Sequence, residues 1–196
     1  MQPQPCARRK FGSWGVQLSY CTSAPAQPAN ANNNNGNGPR AQPVLPSPEE
    51  LAQIATDRAI ALAPKPAIEI APSRLGLTGL DSYFWLNQEP QTIRASASVP
   101  GLSVLAEARP VQYVWGFGDG IDKVTSGPGR PWTRRQPGDI SHLYETRGRY
   151  DVLVEVIWEA RWRVSGGGWN NLGYFSNSDS EPYPVRQVVT RLVQVQ

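Results

Sequence analysis

Six consecutive residues, WGFGDG at positions 115–120, hold three glycines, a carboxylate and two large aromatics. That composition suits three kinds of chemistry: a cradle for phosphate, a loop for a metal ion, or a tight turn between strands. A phosphate cradle needs GxGxxG, or GxxxxG followed by Lys and Ser or Thr, between a strand and a helix. Counting from Gly116, the last glycine of the first pattern falls on Ile121, the second pattern is absent, and no helical periodicity follows. A calcium loop places carboxylates at alternating positions. Asp119 and Asp122 do not make that run, and only an irregular site would use them. The turn reading needs nothing more. In VQYVWGFGDG, Val111, Tyr113, Trp115 and Phe117 recur with the period of a strand, and Asp119-Gly120 ends it with residues that tolerate positive φ. No metal and no cofactor is expected.

Catalytic constellations are equally sparse. His142 is the sole histidine, and Ser141, its neighbour, would point to the opposite face of a strand, which breaks a Ser-His-Asp triad. Asp119 and Asp122 would serve glycoside hydrolysis only across a cleft; as turn formers they need none. The remaining residues suited to recognition are aromatics. Trp132, Trp169, Tyr174, Phe175 and Tyr183 fall in stretches read as loops, where exposed rings would stack on sugars and core-capping rings would serve equally well.

The elements that must hold these residues are mostly strands. Residues 1–46 form a tail and an Asn/Pro-rich linker without apolar periodicity. Ser47-Pro48-Glu49-Glu50 then reads as a helix start with a capping box, and Pro64 and Pro66 close a short helix within 47–66. The rest, 67–196, reads as one all-β domain. A strand is expected at 82–87, and Pro100-Gly101 would turn a hairpin of 91–99 and 102–109. From Tyr150 the even positions, Val152, Val154, Val156, Trp158, Ala160, Trp162 and Val164, alternate with a mostly polar set, which predicts one long antiparallel strand. Residues 165–183 read as a Gly/Asn/Ser loop, and 185–195 as the returning partner of an extended C-terminal hairpin.

Charge placement removes the partner that a pI near 9.0 first suggests. The first 47 residues hold Arg8, Arg9, Lys10 and Arg40 and no acid, whereas 15 basic and 16 acidic residues nearly cancel in the body. A nucleic-acid interface would concentrate its positive charge on the folded face, so no nucleic acid is expected. Cys6 and Cys21 fit no zinc pattern; they are a disulfide candidate in an oxidising compartment, or two unrelated thiols. No apolar run has the length of a membrane span. The stretch after the basic residues 8–10 is too polar for the core of a signal peptide, so no export signal is recognisable in it.

Two motifs in order resemble the PKD (polycystic kidney disease) domain family. Trp115, Phe117, Gly118, Asp119 and Gly120 match its turn, and His142, Tyr144, Gly148, Tyr150, Val152 and Val154 match the run into its late strands. The resemblance covers roughly residues 95–160, and the wider layout is similar to that of actinobacterial secreted or surface proteins. It implies an immunoglobulin-like β-sandwich, to which the residue patterns above add a short N-terminal helix and a disordered N-terminal tail. Trp115 would then fill the space between sheets, His142 would sit beside the turn, and Tyr150 would occupy a tyrosine corner. Val152 stands where an antibody domain has cysteine. Gly116 replaces a usual polar residue, 121–140 is a long insertion carrying Pro128, Pro131 and Pro137, and the strand after Tyr150 runs past the usual domain end.

The function this implies is non-enzymatic: an extracellular or cell-surface module acting in protein–protein interaction or as a spacer, its partner an unknown surface protein or polysaccharide. The alternative is a carbohydrate-binding module that uses Trp132, Trp169, Tyr174 and Phe175.

Overall fold

The computed structural model describes residues 8–11, 16–19, 45–187 and 189; the disulfide candidates Cys6 and Cys21 lie outside the described residues. Strands β1 (Arg8–Phe11) and β2 (Val16–Ser19) pair antiparallel with each other.

Helix α1 (Pro48–Leu62) begins as its sequence dictates. Ser47 Oγ accepts from the Glu50 amide at 3.2 Å, and the Glu50 carboxylate accepts from the Ser47 amide at 2.7 Å. Pro64 and Pro66 stop it because a residue before proline is driven out of helical geometry, and the helix ends at Leu62, short of the expected 66. Its buried face is small: Leu51, Ala52, Ala55, Thr56 and Ala59. Alanines let a helix lie close to a sheet: Leu51, Ala52 and Ala55 meet Ala97, Val104 and Ala106, and Ala59 joins the core between the sheets.

The strands that follow are β3 (Ile68–Ala71), β4 (Gly76–Leu77), β5 (Asp81–Leu86), β6 (Ile93–Val99), β7 (Leu102–Gly116), β8 (Asp122–Thr125), β9 (Ser141–Leu143), β10 (Gly148–Val164) and β11 (Asn170–Arg186). They form two sheets. The larger runs β4-β11-β10-β7-β6, with β8 added beside the end of β7, and the smaller runs β3-β5-β9. The small sheet covers one half of the large sheet's inner face and α1 covers the other half. Between the sheets Ile70, Phe84 and Leu86 meet Trp115, Val154, Val156 and Trp158. Among the described residues the chain is thus mostly β, folded as a sandwich with one short helix.

Three features depart from the sequence reading. First, the expected hairpin arm and the strand into WGFGDG are one continuous β7 with a bulge: Ile157 pairs with Gln112 and Trp158 with Pro110, leaving Val111 unmatched. Proline has no amide to give the ladder, and the extra residue switches the inward parity from Val104, Ala106 and Ala108 to Tyr113 and Trp115. Val111 is therefore only half-buried.

Second, of residues 165–183 only 165–169 turn the chain, and 170–183 are strand rather than loop. β11 starts at Asn170 and pairs with β10 over its whole length, from Trp162↔Asn170 to Gly148↔Val185. Its sequence hides this because inward positions are partly polar. The Asn177 amide donates to the Pro64 carbonyl at 2.7 Å and its oxygen accepts from Trp158 Nε1 at 3.0 Å, while Asp179 pairs with Lys65 at 2.9 Å. Third, of the expected partner segment 185–195, only Val185 and Arg186 belong to the strand, and 188 and 190–196 lie outside the described residues.

Candidate functional site

The WGFGDG turn is built around a tryptophan and a glycine. Trp115 is 0% exposed between the sheets. Its Nε1 donates to Thr125 Oγ1 at 3.2 Å, and that hydroxyl donates onward to the Gly127 carbonyl at 2.8 Å. Gly118 has φ +81°, and a Cβ there would lie 2.8 Å from the backbone nitrogen of Asp151, so no other residue fits. The positive φ angles fall on Gly118 and Gly120. Asp119, expected to share that conformation, stays at negative φ and works through its side chain instead.

Each Asp119 oxygen has a partner. Oδ1 accepts from the Ile121 amide at 3.2 Å, and Oδ2 accepts from His142 Nε2 at 2.7 Å. His142 is 8% exposed. Its ring lies parallel to Phe117, with centroids 4.2 Å apart and planes 2° apart, and meets Tyr144 edge-on at 4.6 Å. Tyr144 stacks in turn on Tyr150 at 4.4 Å and donates to the Phe117 carbonyl at 3.0 Å. Burial, with the Asp119 charge adding to it, pushes the Tyr144 hydroxyl well above the ordinary phenol range, so it remains a neutral donor. Tyr150 closes the corner: its hydroxyl donates to the Thr146 carbonyl at 2.8 Å, and its ring lies against Gly148. Strand β9 places Ser141 and His142 on opposite faces, and the His142 nitrogen that would activate a nucleophile is occupied by Asp119. Among the described residues no three His, Cys, Asp or Glu side chains gather as a metal site would require.

The candidate recognition aromatics divide by strand alternation. Phe175 and Tyr183 face inward. Phe175 stacks on Trp158 at 5.9 Å, and the Tyr183 hydroxyl lies 3.0 Å from Ser82 Oγ, joining the two sheets. Both are buried, so neither offers a ring face to a ligand, and their reading as loop residues is corrected by β11. Tyr174 faces the opposite way and is 47% exposed. It stands over a shallow groove on the outer face of the large sheet with Val111, Gln112, Ile157 and the ion pair of Arg109 and Glu159. Trp169, at the turn of the long hairpin, carries the guanidinium carbons of Arg161 and Arg163 at 4.3 and 4.6 Å from its ring centre. Trp132 lies on the other side of the sandwich, over Tyr83 on the outward face of the small sheet. Tyr174 and Trp169 thus both lie towards the outer face of the large sheet, beside odd-numbered residues of β10, and Trp132 lies on the opposite side of the sandwich.

One cluster has no counterpart in the sequence reading. Glu107, 4% exposed, accepts from Arg94 Nε at 2.8 Å and Arg161 Nε at 2.9 Å, tying β6, β7 and β10 together. Burial alone would raise its carboxyl pKa, but the hydrogen bonds and charges of the two arginines outweigh it and hold the group below the usual carboxylate range. Only the strand register brings these three together: Arg94 opposite Glu107, and Glu107 opposite Arg161.

The spacing of turn, histidine and tyrosines agrees with a comparison against known families: the family described as PKD domain matches residues 84–163. A PKD domain is found there. No curated protein matches the chain. PKD domains are generally non-enzymatic modules of protein interaction or of extracellular proteins. The match includes the turn, the His142–Asp119 contact and the Tyr150 corner, and leaves α1, β3, β4, the start of β5, the tip of the β10–β11 hairpin and β11 itself outside it. Among the described residues no helix is long and apolar enough to cross a membrane.

Proposed function

We propose that the chain is a non-enzymatic binding and spacing module, exposed outside the cell or on its surface, in which the PKD motif residues are architecture and the partner meets the surfaces around them. The observation that supports this reading is how the motif spends its polar groups. Trp115 Nε1, both Asp119 oxygens, His142 Nε2 and the Tyr144 and Tyr150 hydroxyls all bond within the domain. Groups satisfied in this way stabilise a turn and have little left for a substrate. Protease treatment of intact native cells tests the location: the chain should be degraded while a cytosolic marker survives. A chain that survives with the marker contradicts the proposal.

A second reading, carbohydrate recognition by exposed aromatics, draws support from Trp132 and Tyr174, residues that are 41% and 47% exposed. A glycan array probed with the full chain and with Tyr174→Ala tests it.

A further inference from the structure

The insertion between β8 and β9 is a long connection without strand or helix of its own, yet it is held like one. Both of its ends bond to β5: the Leu86 amide donates to the Pro128 carbonyl and the Phe84 amide to the Ile140 carbonyl, each at 2.9 Å. Across the loop, the Arg130 amide donates to Asp139 Oδ1 at 2.8 Å, and the Arg130 guanidinium to the Pro137 carbonyl at 3.3 Å. Gly129, at φ +81°, lies so close to β5 that a Cβ would sit 2.7 Å from the Phe84 carbonyl oxygen.

At the tip, Thr133 and Gln136 exchange both backbone bonds, at 2.8 and 3.2 Å, and the Thr133 hydroxyl also accepts from the Gln136 amide at 3.0 Å. Arg134 and Arg135 are the two central residues of that turn, and both are exposed. Trp132 precedes it, one ring face towards Tyr83. Residues 126–138 contain Arg130, Arg134 and Arg135 and no acid before Asp139, in a body that elsewhere holds 12 basic and 16 acidic residues. Among the described residues none of these three arginines has an ion-pair partner.

We infer that this loop is a docking site for a carboxylated polysaccharide, a chain bearing uronic acid residues. The inference rests on the carbohydrate reading above and names the glycan class and the surface. Guanidinium groups match the planar fork of a carboxylate with two parallel hydrogen bonds. An exposed tryptophan face takes the apolar side of a sugar ring. In a uronic acid the carboxylate is attached to the ring itself, so ring and charge arrive together, as Trp132 and the arginine pair are presented together. The internal bonds of the loop mean that little ordering remains to be done on binding, the usual advantage of a preorganised site.

The test is retention of the full chain on immobilised polygalacturonate, with dextran, polyglutamate and a phosphodiester-linked glycan polymer as comparisons. Wild type should be held by polygalacturonate more tightly than by the other three, and less tightly as salt rises. Arg134→Ala/Arg135→Ala and Trp132→Ala should each weaken retention at least about tenfold, as the loss of a charge-assisted pair or of a stacked ring does, with the melting temperature unchanged for the arginine variant and lowered by at most about 4 °C for Trp132→Ala. Both variants keep the basic N-terminus, so its electrostatics drop out of the comparison. Equal retention on polyglutamate, with no effect of Trp132→Ala, overturns the inference in favour of simple charge attraction. Tighter binding to the phosphodiester polymer also overturns it. Binding to dextran that depends on Tyr174 and ignores the loop overturns it while the broader carbohydrate reading stands. Absence of binding to every saccharide overturns both.

Discussion

Replacing Trp115 with alanine should separate a residue that builds the sandwich from one that serves its surface. Trp115 is completely buried, with Phe117, Tyr113 and Val154 in the same core. A side chain of this size hides on the order of 150–250 Å², worth about 4–6 kcal/mol at ~25 cal/mol per Å². Alanine keeps the Cβ, and the surroundings relax in part, which brings the expected loss to about 3–5 kcal/mol. The bond from Nε1 adds little, because Thr125 Oγ1 keeps its bond to the Gly127 carbonyl and is not stranded. With a urea dependence of about 2 kcal/mol per M, the unfolding midpoint should fall by roughly 2 M. Trp132→Ala is the internal control. Trp132 is 41% exposed, so its loss should cost under about 1 kcal/mol. Equal and small losses for the two variants would refute the placement of Trp115 between the sheets.

Other substitutions test the turn and the charge clamp. Gly118→Ala should cost more than about 2 kcal/mol, since a positive φ and a close approach to the Asp151 backbone both resist a Cβ; urea melts showing a loss under 0.5 kcal/mol, the ordinary surface range, would sink that reading. Asp119→Ala should cost about 1–2 kcal/mol by breaking the contacts to His142 and Ile121, and wild-type melts with calcium and with chelator should superimpose, whereas a calcium shift that the variant abolishes would restore the metal reading. Glu107 has a folded-state pKa below its unfolded value, so its contribution is present above about pH 4.3 and is lost as pH falls through the folded value. Acid titration of stability should therefore be shallower in Glu107→Gln than in wild type, and equal slopes would contradict the clamp.

How much of this was legible in the sequence follows from what each residue answers to. β10 announced itself because its inward positions, Val152 to Ala160, all face apolar neighbours, so alternation survives intact. The helix start was readable for a similar local reason, since the Ser47 and Glu50 contacts are made within four residues. β11 was not readable: its inward Asn177 and Asp179 answer to Pro64 and Lys65, more than a hundred residues away. The bulge at Val111 hid the parity of β7, and the Glu107 clamp depends on register across three strands. Among candidate site residues, the pattern of glycines, Asp119 and His142 marked a motif. That Asp119 reaches His142, and that Phe175 turns inward while Tyr174 turns out, are matters of geometry the pattern does not contain.

Stability and binding should reside in separate residues of the domain, and one co-sedimentation experiment with native cell envelope tests this directly. At a temperature where every variant is folded, His142→Ala should sediment with the envelope as wild type does, although its melting temperature is lower. Arg134→Ala/Arg135→Ala should show the reverse, an unchanged melt and reduced sedimentation. Loss of envelope binding in His142→Ala with its melting temperature intact would place the function in the motif itself and contradict the account.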